Sequence, residues 1–124
     1  MTTSIRVLVI DDDPLQLELV DRALSRDGFE LRGVTSCDGL AAVARDFAPQ
    51  LVLLDVNMPD TSPEHVIAQV REATGTARIV LYSAWEDSKL RKLAASIGAD
   101  AFMSKSESVF SIGGKLRDLA RGPS

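Results

Sequence analysis

The sequence predicts an α/β fold built on a parallel sheet of five strands, and three observations carry that prediction. The runs "IRVLVI", "LVLLD" and "RIVLY" are almost wholly apolar and too short for helices, which marks strands covered on both faces. Segments of helical period lie between them, opened by proline, serine or aspartate and closed by glycine or proline. The two kinds of segment alternate five times along 124 residues. Parallel strands need crossovers, and right-handed crossovers place helices on both faces of the sheet.

Taken in order, strand one covers Ile5–Ile10, and Pro14 suits the first turn of a helix running to about Arg26, with Gly28 as its stop. Strand two, Glu30–Val34, is shorter and more polar and is expected at an edge. Asp38 is expected to cap a second helix that reaches about Phe47 and ends at Pro49. Strand three is Leu51–Asp55. Ser62 and Pro63 supply a cap and a first-turn proline for a third helix, which ends before Gly75. Strand four is Arg78–Tyr82. Leu90, Leu93, Ala94 and Ile97 share one face of a fourth helix stopping at Gly98. Strand five is Ala101–Met103. Val109, Ile112, Leu116 and Leu119 define a fifth helix, which Gly113 and Gly114 should each weaken by about 1 kcal/mol relative to alanine.

Residues 1–124 are expected to form a single domain with a core over about 5–120, leaving 121–124 as a tail or linker stub. The net charge of -4, with acids spread along the chain, argues against a phosphate-gripping nucleic-acid surface. No run approaches the ~18 apolar residues of a membrane span. The single cysteine, Cys37, excludes an internal disulfide and suits a small buried or half-buried residue in a reducing compartment. A soluble cytoplasmic domain is the expectation. His65, early in the third helix and without neighbouring ligands, is expected to be exposed.

In open parallel sheets ligands sit outside the carboxyl ends of the strands. Strand one ends in Asp11, Asp12 and Asp13, strand three in Asp55, strand four in Ser83, and strand five is followed by Lys105. Asp13 before Pro14 reads as a helix cap, which leaves Asp11 and Asp12 unexplained by capping. Two carboxylates about 4 Å apart repel by ~4 kcal/mol at an effective dielectric near 20. Three in one cleft therefore call for a cation or a raised pKa. Hard oxygen donors suit Mg²⁺, with Mn²⁺ as the substitute, and Lys105 could pair with a phosphoryl group. The chemistry that fits is phosphoryl transfer with Asp55 as nucleophile.

The joint pattern "VLVIDDDP", "LVLLDVNMPD", "IVLYSA" and "AFMSK" resembles the receiver domain of two-component response regulators, from Ile5 to about Ala120. That resemblance implies a flavodoxin-like (βα)5 architecture with strand order 2-1-3-4-5. It also implies that Asp55 is the phospho-accepting residue, and that Asp11, Asp12, Asp55 and the backbone carbonyl of Asn57 hold Mg²⁺. Ser83 and Lys105 would bind the phosphoryl oxygens, with Ser83 and Phe102 as the switch pair. The phosphoryl donor would be a phosphohistidine of a sensor kinase or histidine phosphotransfer protein. The partners would be an output domain or protein, or a second receiver in a homodimer, with neither nucleic acid nor membrane bound by this domain. Receivers are signalling domains; the catalysis implied is limited to their own phosphorylation and dephosphorylation.

Three departures from the family pattern stand out. Ser106 follows Lys105 where the family usually has a proline after a cis bond. Before serine that bond would cost ~2.5–4 kcal/mol, so a trans bond is predicted. Pro63 replaces a usual glycine, and "TSPEH" is expected to remodel the loop beside Asp55. Trp85, two residues past Ser83, stands where the family tunes water access to the acyl phosphate, and slow dephosphorylation is predicted. These departures sustain one alternative, a phosphorylation-independent interaction module, against which the intact Asp11, Asp12, Asp55, Ser83 and Lys105 set speaks. An aspartyl-phosphate phosphatase would want an acid at Asn57, and a flavin or nucleotide binder would want a glycine-rich loop after strand one.

Overall fold

The computed structural model describes residues 4–36, 38–57, 62–105 and 109–120. Five strands form one parallel sheet in the order β2-β1-β3-β4-β5: β1 (Arg6–Ile10), β2 (Glu30–Val34), β3 (Leu51–Leu54), β4 (Arg78–Ser83) and β5 (Ala101–Ser104). They alternate with α1 (Pro14–Arg26), α2 (Leu40–Phe47), α3 (Pro63–Thr74), α4 (Asp87–Ile97) and α5 (Ile112–Ala120). This is the strand order 2-1-3-4-5 that the resemblance implies, with β2 at an edge as its polarity required.

Alternation along the strands divides the core into two layers. Leu8, Ile10, Val52, Leu54, Ile79 and Leu81 face α2, α3 and α4. Val7, Val9, Leu51, Leu53, Val80 and Tyr82 face α1 and α5. Both faces being covered explains why the central strands read as unbroken apolar runs. Leu8, Leu53 and Leu81 are at most 1% exposed, and truncating any of them to alanine should cost ~2–5 kcal/mol.

The first helix starts as its sequence dictates. Asp13 is the cap, its Oδ1 accepting from the Leu15 N–H at 3.0 Å, and Pro14 occupies the first turn. Ser62 does the same for α3, its Oγ accepting from the His65 N–H at 3.2 Å. His65 is exposed.

The expected cap at Asp38 is not made. Gly39 takes the capping position of α2 in the left-handed conformation, φ 69°, without a side-chain cap. Glycine alone adopts that conformation at no steric cost, so the helix starts one residue later and Asp38 instead donates its N–H to Ser36 Oγ. Val109 also falls outside its expected helix, in a single 3-10 turn (Val109–Ser111) ahead of α5.

Candidate functional site

Ladder bonding carries the two key aspartates one step past their strands. The Asp11 N–H donates to the Val34 carbonyl at 3.1 Å, and the Asp55 N–H donates to the Ile10 carbonyl at 2.9 Å. Asp55 thus lies just beyond β3 rather than within it, and it stands beside Asp11 because β1 and β3 are sheet neighbours. Both are buried, at 2% and 6% exposure, whereas Asp12 is exposed. Asp11 Oδ1 accepts from the Asp13 N–H at 3.0 Å, and Asp55 Oδ1 accepts from the Asn57 N–H at 3.1 Å. Each buried carboxylate therefore keeps one oxygen on the backbone and presents the other to the cleft.

Lys105 reaches in from the end of β5. Its Nζ lies 3.0 Å from Asp11 Oδ2 and 3.7 Å from Asp55 Oδ2, and 5.5 Å from the centre of the Tyr82 ring. The Lys105 N–H donates to the Ser83 carbonyl at 2.7 Å, which extends the β4–β5 ladder and fixes where the lysine departs. Burial pushes the Asp55 carboxyl above its ordinary value of 3.8 and Asp11 adds to the rise, while the Asn57 N–H and the Lys105 ammonium oppose it.

One oxygen each from Asp11, Asp12 and Asp55 lie within 4.8 Å of one another. Three hard anionic donors at that spacing fit a small divalent cation such as Mg²⁺, which is held by one or two carboxylates and otherwise keeps its waters. Asn57, whose backbone carbonyl is the fourth expected ligand, stands two residues beyond Asp55, with its N–H bonded to Asp55 Oδ1.

Ser83 is fully buried at the end of β4, with Oγ accepting from the Trp85 N–H at 3.2 Å. The Trp85 indole N–H donates to Asn57 Oδ1 at 3.0 Å. The sequence alone suggests no side-chain role for Asn57; the available signal is that Asn57 and Trp85 stand two places beyond Asp55 and Ser83, in the loops that follow the neighbouring strands β3 and β4. Phe102 is half-buried on the α2-α3-α4 face, under the Arg91 guanidinium at 5.9 Å, and is not gathered into the carboxylate cluster. Cys37, the "MPD" motif with Thr61, Ser106 with its peptide bond, and the tail 121–124 lie outside the described residues.

The sequence profile of the response regulator receiver domain family matches residues 7–113. The chain belongs to that family. Receiver domains are signalling domains of two-component systems, and they bind Mg²⁺ through acidic residues such as those clustered here. The receiver is 32% identical over 119 residues to the probable transcriptional regulatory protein TcrX of Mycobacterium tuberculosis, covering 94% of this chain and 50% of that protein. The chain spans about half the length of the curated relatives it matches. Among solved structures, the receiver domain of the putative response regulator NarL from Mycobacterium tuberculosis aligns with a TM-score of 0.83 at 30% identity, covering 98% of this chain and 100% of that one. A response regulator from Thermotoga maritima shares the fold at a TM-score of 0.84 and 21% identity, covering 97% and 100%. Among the described residues, no helix is long and apolar enough to cross a membrane.

Proposed function

We infer that this receiver is a phosphorylation-dependent switch in which Asp55 accepts a phosphoryl group from a phosphohistidine of a sensor kinase or histidine phosphotransfer protein. The observation that best supports this reading is Lys105 Nζ set between the free oxygens of Asp11 and Asp55. An ammonium there holds Asp55 ionised enough to attack, against a burial that disfavours its charge.

In the transfer, an Asp55 oxygen attacks phosphorus, the P–N bond to the donor imidazole breaks, and the imidazole takes up a proton as it leaves. An acyl phosphate is left on Asp55. Bound Mg²⁺, held by Asp11, Asp12, Asp55 and the Asn57 carbonyl, would supply positive charge to the phosphoryl oxygens. Lys105 then exchanges the Asp55 oxygen for a phosphoryl oxygen, and Ser83 gives up its bond from the Trp85 N–H to donate to another. The phosphoryl group adds about -1.5 to -2 charges at this spot. Engagement of Ser83 draws Phe102 inward and biases the surface of α4, β5 and α5, which an output domain, an output protein or a second receiver reads.

Incubation with Mg²⁺ and acetyl phosphate, followed by intact-mass measurement, tests this. One added phosphoryl group is expected, absent in Asp55→Asn. No adduct, together with no Mg²⁺-induced rise in thermal stability, would leave the domain as a phosphorylation-independent docking module.

A further inference from the structure

The sheet is charged at its other end as well, and with the opposite sign. At the amino ends of the strands a cavity of about 400 Å³ is lined by Arg6, Arg45, Gln50, Thr74, Thr76 and Arg78, the rest of its wall being alanine and proline. No acidic side chain is among its lining residues. Yet the chain has 18 acidic against 14 basic residues, so three arginines around one acid-free cavity run against its overall balance.

Among the described residues these arginines form no ion pair; the ion pairs there engage Arg22, Arg71 and Lys105. Arg6 is nonetheless held in place: its N–H donates to Gln50 Oε1 at 3.1 Å, and its Nε donates to the Ala48 carbonyl at 2.8 Å. That leaves its two terminal nitrogens as donors. Ala48 is the one non-glycine residue with positive φ among those described, at 51°. Pro49 disfavours helical geometry at the residue before it, so the chain turns there and offers the carbonyl that anchors Arg6. The Thr74 hydroxyl is already donated to the Val70 carbonyl at 2.9 Å.

Three arginines lining one cavity concentrate like charge there, and an anion bound among them offsets it. Their planar forks match phosphate oxygens bidentately. Three forks exceed what a single carboxylate can satisfy, and the volume lies within the range of small-molecule sites. We propose that this cavity is a binding site for a small polyanion carrying two or more phosphate groups. It lies one strand length from the carboxylate cleft, roughly 15 Å for five residues. That exceeds the ~8 Å screening length at physiological salt, so occupancy here is separable from the chemistry of Asp55.

Titration of the ¹⁵N-labelled chain with pyrophosphate, in EDTA and at constant ionic strength, tests the site by amide chemical shifts. Saturable shifts are expected at Gln50, Thr76 and Arg78, with at least tenfold weaker binding in the Arg45→Gln/Arg78→Gln double variant. Arg22→Gln, on the opposite layer, should bind as the wild type does, and the double variant should still be phosphorylated by acetyl phosphate. Arg45→Gln alone, on an exposed face of α2, carries the test if the double variant does not fold. Shifts that fail to saturate, shifts centred on Asp11 and Lys105, or full affinity in the arginine variants would overturn the proposal.

Discussion

The Trp85 indole N–H donates to the side-chain oxygen of Asn57 at 3.0 Å, joining the loop after β4 to the loop after β3 beside the carboxylate cluster. Asn57 is held at its other end by its N–H bond to Asp55, and Trp85 by its N–H bond to Ser83 Oγ. The Lys89 ammonium lies 5.0 Å from the centre of the indole ring. One aromatic side chain thus ties the residue proposed to accept phosphate to the hydroxyl proposed to sense it.

Removing this tie should expose the acyl phosphate to water. Trp85→Ala is expected to lose phosphate from Asp55 about fivefold faster than the wild type, the equivalent of one hydrogen bond of ~1 kcal/mol. Trp85→Phe keeps a ring but lacks the donor, and should fall between the two. A phosphate-release time course gives the order directly, and faster loss in the wild type than in Trp85→Ala would show that the indole is no shield.

What was legible in the sequence, and what was not, follows from the range of the interactions concerned. Asp13–Pro14 and Ser62–Pro63 announce their helices because a cap bonds a backbone N–H two or three residues away. The carboxylate cluster was legible because parallel strands bring their carboxyl ends together whatever lies between. Asp38 misled because a left-handed glycine beside it competes for the same position, and residue type alone does not rank the two. The Trp85–Asn57 bond spans 28 residues of sequence and needs the relative reach of two loops, which no local pattern supplies. The same holds for the arginine cavity, where Arg6, Arg45 and Arg78 come from three separate elements.

Asp12 separates metal binding from folding. It is exposed and contributes one oxygen to the three-carboxylate group. Asp12→Asn should therefore change stability without metal by less than about 0.5 kcal/mol. The wild type should gain ~2.7 kcal/mol at a Mg²⁺ concentration one hundred times its Kd, and the variant should lose most of that gain. Thermal melts with and without Mg²⁺ measure both quantities, and an equal Mg²⁺ response in the two proteins would remove Asp12 from the metal site.

Asp55 imposes a pH dependence of definite sign. Its folded carboxyl titrates above the ordinary value of 3.8, chiefly through burial. As pH falls, the folded chain takes up this proton before the unfolded chain does, so this group adds stability through the window from the folded value down toward 3.8. Its penalty is complete above that window. Asp55→Asn should accordingly raise the melting temperature at pH 7 without Mg²⁺, and the advantage should vanish as pH approaches 4. An advantage that instead grew on acidification would mean that the Lys105 pair outweighs burial.

Gly113 and Gly114, equivalent as helix-weakening residues in sequence, are opposites in structure. A Cβ added at Gly114 meets nothing within 4 Å, so Gly114→Ala should stabilise by about 0.5–1 kcal/mol. A Cβ at Gly113, which is buried, would collide with Asp27 Oδ2 and lie 3.2 Å from its Cγ. Asp27 closes α1, and its backbone carbonyl accepts a hydrogen bond from the Arg117 guanidinium of α5, so the two helices are joined at this point. The carboxylate must swing away to admit a methyl group, and that displacement should cancel the propensity gain. Gly113→Ala is therefore expected to be neutral or destabilising by about 1 kcal/mol. In the Asp27→Ala background the obstructing atoms are gone, and Gly113→Ala should there stabilise by about as much as Gly114→Ala does. Urea denaturation of the four-member cycle measures the coupling directly. Additivity between positions 27 and 113 would mean that helix propensity, not the contact with Asp27, decides what residue 113 tolerates.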